Sequence, residues 1–159
     1  MLYWISAVIL WLSPYQSHTT VAKYADLIAF ESKWYKIDPL LVLAFIQVES
    51  GWNTRKKSIT NDYGLMQVHV ARIGSARFYK REKELYNPRV NIREGTRILA
   101  MWKQFHERYC KDEDHPFWAH NKWGRKVKTY TPRVDALYAR LTRKFGKPSP
   151  TLLSMKGVE

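Results

Sequence analysis

The chain has 159 residues, 45% of them hydrophobic and 26% charged, which is the size and composition of one ordinary globular domain. That balance excludes a disordered tail, a collagen-like fibre and a multi-span membrane protein. Lys and Arg number 27 against 14 Asp and Glu, so the net charge of +13 admits anionic partners: nucleic acid, an acidic membrane surface or an anionic wall polymer.

Met1 to Leu12 reads MLYWISAVILWL, almost wholly apolar, and Ser13-Pro14 ends the run. About 12 such residues suit the apolar part of a signal peptide, whereas a membrane-spanning helix needs roughly 20. No Lys or Arg precedes the run and no Ala-x-Ala follows it. Residues 1–20 are therefore expected as a signal peptide or membrane anchor, with membrane contact through 1–12. The competing reading is a short apolar helix packed on the domain. The domain proper is expected over 21–146, with 147–159 a flexible tail.

Val21, Ala25, Ile28, Ala29 and Ser32 share one stripe and predict a helix over about 21–35. Asp38-Pro39 is an N-cap followed by proline at the first helical position. The run Leu40 to Ile46 has no polar face, so its helix should be buried, stopping near Ser50-Gly51. Residues 51–63 read as a loop, and a short helix is expected from about Gly64 to Tyr79. Gln67-Val68-His69-Val70 alternates over too few residues to predict a strand. Asn91 with Glu94 resembles a capping box ahead of a helix over about 91–110. Pro116 begins a short helix with Phe117, Trp118 and Asn121. Thr131-Pro132 begins a last helix, with Val134, Leu137, Tyr138, Leu141 and Phe145 inward and Gly146 at its end. Cys110 is the only cysteine, so no intrachain disulfide and no cysteine metal cluster can form.

Glu49 is the anomaly. It sits at the C-terminal end of the apolar helix, where burial and the helix's negative end both disfavour the carboxylate. A carboxylic acid kept protonated near neutral pH is what glycoside cleavage needs from its general acid. On position alone, a Glu emerging into solvent fits as well.

The surroundings decide between the two. Glu49-Ser50-Gly51-Trp52-Asn53 is followed by Gly64-Leu65-Met66-Gln67, then Asn87-Pro88, Asn91-Ile92 with Gly95, then Ala119-His120-Asn121, and finally Tyr130 with Val134. In this order and spacing the chain resembles the soluble lytic transglycosylase family over roughly residues 23–140. The resemblance implies an all-α, lysozyme-like fold with a catalytic groove. It implies cleavage of the β-1,4 bond between N-acetylmuramic acid and N-acetylglucosamine in peptidoglycan, with formation of a 1,6-anhydro product. It implies Glu49 as the single catalytic acid, with Ser50 orienting it. Gly64, Met66, Gln67, Asn121 and Tyr130 are then groove residues. No metal or cofactor is implied, and the domain is expected to be monomeric, at a periplasmic or membrane-anchored site facing the wall, or in a phage virion or lysis protein.

The sequence departs from the family's Ala-Tyr-Asn-Ala-Gly and Tyr-Val-x-x-Val patterns. His120 stands for Tyr, as a substrate contact or a satisfied polar residue. Lys122-Trp123-Gly124 replaces small neighbours, and Tyr130 heads Tyr-Thr-Pro-Arg-Val. Trp118 is expected in the core, while Trp52 and Trp123 are open. Asp62 is the acid offered to a hydrolysing muramidase, against a plainer reading as a cap before Gly64. A nucleic-acid-binding module would use Arg55-Lys56-Lys57, Lys80-Arg81 and Arg125 to Lys128 as phosphate contacts. No reader motif accompanies them, so that partner ranks low. A wall-binding protein with a degenerate site is the remaining alternative.

Overall fold

Asp38 and the seven apolar residues from Leu40 to Ile46 set the centre of the molecule: each residue of the run is no more than 2% exposed. The computed structural model describes residues 1–69, 82–110, 115–121 and 125–146, with the backbone alone for 121 and 125–129. In chain order the helices are α1 (Leu2–Leu12), α2 (His18–Tyr35), α3 (Pro39–Ser50), α4 (Pro88–Tyr109) and α5 (Arg125–Phe145). Between α3 and α4 lie a two-stranded hairpin, β1 (Asp62–Tyr63) and β2 (Val68–His69), and a 3₁₀ helix, Glu82–Tyr86. A further 3₁₀ helix, Phe117–Asn121, precedes α5. The strands are antiparallel, with Asp62 opposite His69 and Tyr63 opposite Val68.

α3 is packed by α1, α2 and α5, and α2 also packs on α1 and α4. Asp38 serves two elements at once. Its Oδ1 accepts from Leu40 N at 2.8 Å, capping α3, and its Oδ2 accepts from Tyr138 Oη at 2.8 Å, tying that cap to α5. The helix stops at Gly51, whose φ of 58° is the left-handed conformation that only glycine adopts freely.

The apolar start forms α1 and packs on the domain. Ile5, Val8 and Ile9 fall on one face of α1 and are fully buried against the domain. The Trp4 indole N–H donates to Phe145 O at 3.0 Å, and Trp11 meets the Phe145 ring edge-on at 5.8 Å. No described helix is long and apolar enough to cross a membrane.

Element boundaries differ from expectation at several points. α4 starts at Pro88, capped by Asn87, whose Oδ1 accepts from Arg89 N at 3.0 Å. Asn-Pro here repeats the Asp38-Pro39 device, which frees Asn91 for the interior. α5 starts at Arg125 and runs through Pro132 instead of beginning there. A helix-interior proline costs about 3 kcal/mol. Tyr130 and Val134 on either side of it are 8% and 0% exposed in the core, and that packing outweighs the lost bond. The helix expected from Gly64 is replaced by a turn and β2, because Gly64 (φ 74°) and Gln67 (φ 46°) are both left-handed and cannot propagate a right-handed helix. Its expected continuation over 70–79 lies outside the described residues, as do Lys80-Arg81, Lys122-Trp123-Gly124 and the tail 147–159.

Candidate active site

The site is built where α3 runs out. Glu49, in its last turn, is 8% exposed, in the same class of burial as the helix it closes. Ser50 Oγ donates to Ile46 O at 3.0 Å and accepts from Trp52 N at 3.1 Å, so its hydroxyl secures the backbone turn behind the acid. Gly51 and Trp52 are both left-handed, at φ 58° and 70°. For a bulky residue such a conformation stores roughly 1–3 kcal/mol and persists only where the surroundings over-determine it. They do so here. The Trp52 indole stacks on Tyr24 at 5.9 Å and donates to Gln47 Oε1 at 2.7 Å, leaving the residue 4% exposed in the core.

The Gly64 to Gln67 turn is held by α4. Asn91, fully buried, accepts from Met66 N at 2.7 Å and donates to Tyr63 O at 2.7 Å and Leu85 O at 2.8 Å. The approach is so close that a Cβ on Gly64 would fall on Asn91 Nδ2 and Leu85 O. One turn along α4, a Cβ on Gly95 would overlap Met66 Sδ and Cβ, so glycine there makes the seat for the methionine. Gln67, 6% exposed, donates from Nε2 to Gly64 O at 2.9 Å and Lys56 O at 3.1 Å.

Lys56 joins the two turns. Its Nζ donates to Glu49 O at 2.6 Å, while its carbonyl accepts from Gly64 N at 2.8 Å and from Gln67. The sequence reads Lys56 as one of a run of surface cations; the structure makes it a strut between the end of α3 and the Gly64 to Gln67 turn. Lys57 is likewise engaged, its Nζ 5.1 Å from the centre of the Tyr63 ring. Asp62 is not a helix cap. It lies in β1, where Oδ2 accepts from Ser58 Oγ and Thr60 Oγ1 at 2.8 Å each, and Oδ1 pairs with His69 Nδ1 at 2.8 Å.

The later motifs are distributed differently. Tyr130, 8% exposed, meets Phe45 edge-on at 6.0 Å, one turn before Glu49 on α3. His120 turns toward α4: its ring stacks on Trp102 at 5.6 Å and its Nε2 is 3.2 Å from His106 Nδ1. Asn121 closes that 3₁₀ helix, and its side chain lies outside the described residues. Trp118 packs against the core, donating to Asp135 Oδ1 at 2.6 Å.

A further buried acid, besides Glu49 and Asp62, is not singled out by the sequence. Glu31 on α2 is 5% exposed, and burial lifts its carboxyl above the ordinary carboxylate range against the opposing pull of Arg93 and Arg89. Its neighbour Ser32 sits on the stripe that predicts α2, so only the one-residue offset signalled Glu31. It matches none of the motifs that surround Glu49.

A helical domain with an acid buried at the end of its most deeply buried helix, tied through Lys56 to a glycine-seated turn, is of the lysozyme-like, all-α class. The Transglycosylase SLT domain family matches residues 26–132, and the chain belongs to that family. It is 33% identical over 88 residues to membrane-bound lytic murein transglycosylase E of Buchnera aphidicola subsp. Acyrthosiphon pisum (strain APS), covering 51% of this chain and 40% of that one. It is 36% identical over 86 residues to membrane-bound lytic murein transglycosylase C of Actinobacillus pleuropneumoniae serotype 5b (strain L20), 50% of this chain and 24% of that protein. With the C enzyme of Edwardsiella ictaluri (strain 93-146) it shares 33% identity over 104 residues, 61% of this chain and 29% of the other. The aligned segments thus span well under half the length of these relatives. No solved structure matches the chain significantly.

Proposed function

We propose that this domain is a peptidoglycan lytic transglycosylase, cleaving the β-1,4 bond between N-acetylmuramic acid and N-acetylglucosamine. The observation that carries the reading is Glu49: an acid 8% exposed, closing an apolar helix, inside a chain that matches the transglycosylase family across its motifs. Glu49 gives its proton to the leaving glycosidic oxygen, and that C–O bond breaks as positive charge builds on the anomeric carbon. The muramic C6 hydroxyl attacks the same carbon and returns its proton to Glu49. The product is a 1,6-anhydro sugar, and no water is consumed. Handing one proton out and back asks for a single acid held in a dry, fixed place.

Ser50 fixes the turn behind the acid, Gly64, Met66 and Gln67 form one side of the glycan groove, and Asn121 and Tyr130 belong to the other. The rigidity of this arrangement is supported by Lys56, which is bonded to Glu49 O and shares its own carbonyl with Gly64 and Gln67. A hydrolysing muramidase would need a second carboxylate to activate water. Asp62 is a poor candidate, since both its oxygens are engaged by Ser58, Thr60 and His69. The substrate sets the working location on the wall-facing side of the membrane. Digestion of purified sacculi with mass analysis of the products tests the reading. It expects anhydro ends; ends heavier by one water would replace transglycosylation with hydrolysis.

A further inference from the structure

His106 near the end of α4, His120 on the Phe117–Asn121 3₁₀ helix, and His115 in the segment between them bring ring nitrogens together within 4.8 Å. His106 and His115 match none of the motifs around Glu49. Their clustering is therefore not accounted for by glycan cleavage. The ring centroids form a nearly equilateral triangle with sides of 5.3, 5.4 and 4.9 Å. The rings meet at 48°, 54° and 81°, so they fan out and do not stack as a column.

The spacing matches a coordination shell. Two imidazole nitrogens at about 2.0–2.1 Å from one tetrahedral zinc stand roughly 3.4 Å apart. His106 Nδ1 and His120 Nε2 are already 3.2 Å apart. His115 offers a nitrogen within 4.8 Å of theirs, and a shift of about 1.5 Å brings it to the ligand spacing. Trp102 stacks on His120 at 5.6 Å and Phe105 meets it edge-on at 5.4 Å, and these two contacts orient that ring. A donor set of imidazole nitrogens suits zinc, copper, nickel or cobalt and not the oxygen-seeking calcium or magnesium.

We infer that His106, His115 and His120 form a binding site for one divalent transition-metal ion, of which zinc is the representative, fastening the 3₁₀ helix of His120 to α4. Three protein nitrogens leave a fourth tetrahedral position for water. The ion stands outside the proposed glycan chemistry, since Glu49 is not among its ligands. Its effect is to fix the 3₁₀ helix that carries Trp118 and Asn121 into the domain.

The test uses the tag-free full chain, stripped with a chelator and titrated with Zn²⁺ by calorimetry and with Co²⁺ by visible absorption. The expected result is uptake of one ion per chain, the intense bands of four-coordinate cobalt, and an unfolding midpoint that rises with Zn²⁺ concentration but not with Mg²⁺ or Ca²⁺. His106→Gln, His115→Gln and His120→Phe should each weaken Zn²⁺ binding by more than the roughly 10- to 100-fold that loss of a merely supporting partner costs. His120→Phe keeps an aromatic ring against Trp102, so it separates loss of a ligand from loss of packing. His18→Gln and His69→Gln should leave the titration unchanged. Absence of stoichiometric uptake overturns the inference, and so does uptake that survives the substitutions at 106, 115 and 120 or follows His69. None of these outcomes depends on whether the domain cleaves peptidoglycan.

Discussion

Glu31 and Glu49 are both buried acids, yet only Glu49 sits among the residues proposed to bind a glycan. Glu31 is faced by Arg93, Arg89 and Glu94 of α4, and burial still wins, leaving its carboxyl raised. A raised carboxyl binds its proton more tightly in the folded than in the unfolded chain. Below the ordinary carboxylate pKa both forms are protonated and no difference exists. Above it, the folded state carries the cost of a buried charge. Glu31→Gln should therefore raise stability at pH 7, and the gain should vanish as the pH falls through the carboxylate range; denaturant unfolding at several pH values checks both. Asn91 is the complementary case. Asn91→Ala strands Met66 N, Tyr63 O and Leu85 O, each of which it now satisfies. At 1–3 kcal/mol for each orphaned group, the loss should be about 3 kcal/mol or more, measured by the same unfolding. Asn91→Asp should fare little better, because a carboxylate cannot donate to the two carbonyls. The sequence displays Glu49 because its run of apolar neighbours makes a lone acid conspicuous. It hides Asn91 behind its own capping propensity, and it hides Lys56 among adjacent cations, since nothing local says which cation reaches a carbonyl.

At the scale of elements, α3 is legible throughout: its cap, proline, apolar run and terminal glycine all point one way, and the structure keeps each of them. Where two signals compete, the sequence is a weaker guide. Thr131-Pro132 looks like a helix start, but burial of Tyr130 and Val134 carries α5 across it. Gly64 looks like the entry to a helix, but the left-handed backbone at Gly64 and Gln67 closes a hairpin instead. α1 is the element with the largest consequence. Its length and apolarity suit export, while Ile5, Val8 and Ile9 also lie one helical turn apart on a single face, and it is this face that the core takes up. Fully burying an aliphatic side chain is worth about 1.5–3 kcal/mol, so deleting residues 1–12 should cost on the order of 5 kcal/mol. That is comparable with the whole stability of many domains. Thermal unfolding of the shortened chain should show a large drop in midpoint or no cooperative transition. An unchanged midpoint would mean that α1 is dispensable and free to serve as a signal or anchor.

For the molecule as a whole, the proposed function sets the net charge of +13 against the free carboxylates of the wall. Exposed attractions are screened over about 10 Å at 0.1 M salt. Binding to sacculi should weaken as salt rises, while turnover of a short soluble glycan at saturation should hardly change. Co-sedimentation and steady-state kinetics over the same salt series check the two halves. The proposed function stands on one buried acid, Glu49, performing the cleavage. The direct measurement is sacculus digestion by Glu49→Gln beside the wild-type chain, with circular dichroism and the unfolding midpoint of both. The amide fills the same space but has no proton to give. The expected result is release of 1,6-anhydro fragments by the wild type, and a folded variant whose release falls to background. Release of those fragments by the folded variant at anything near the wild-type rate would contradict it.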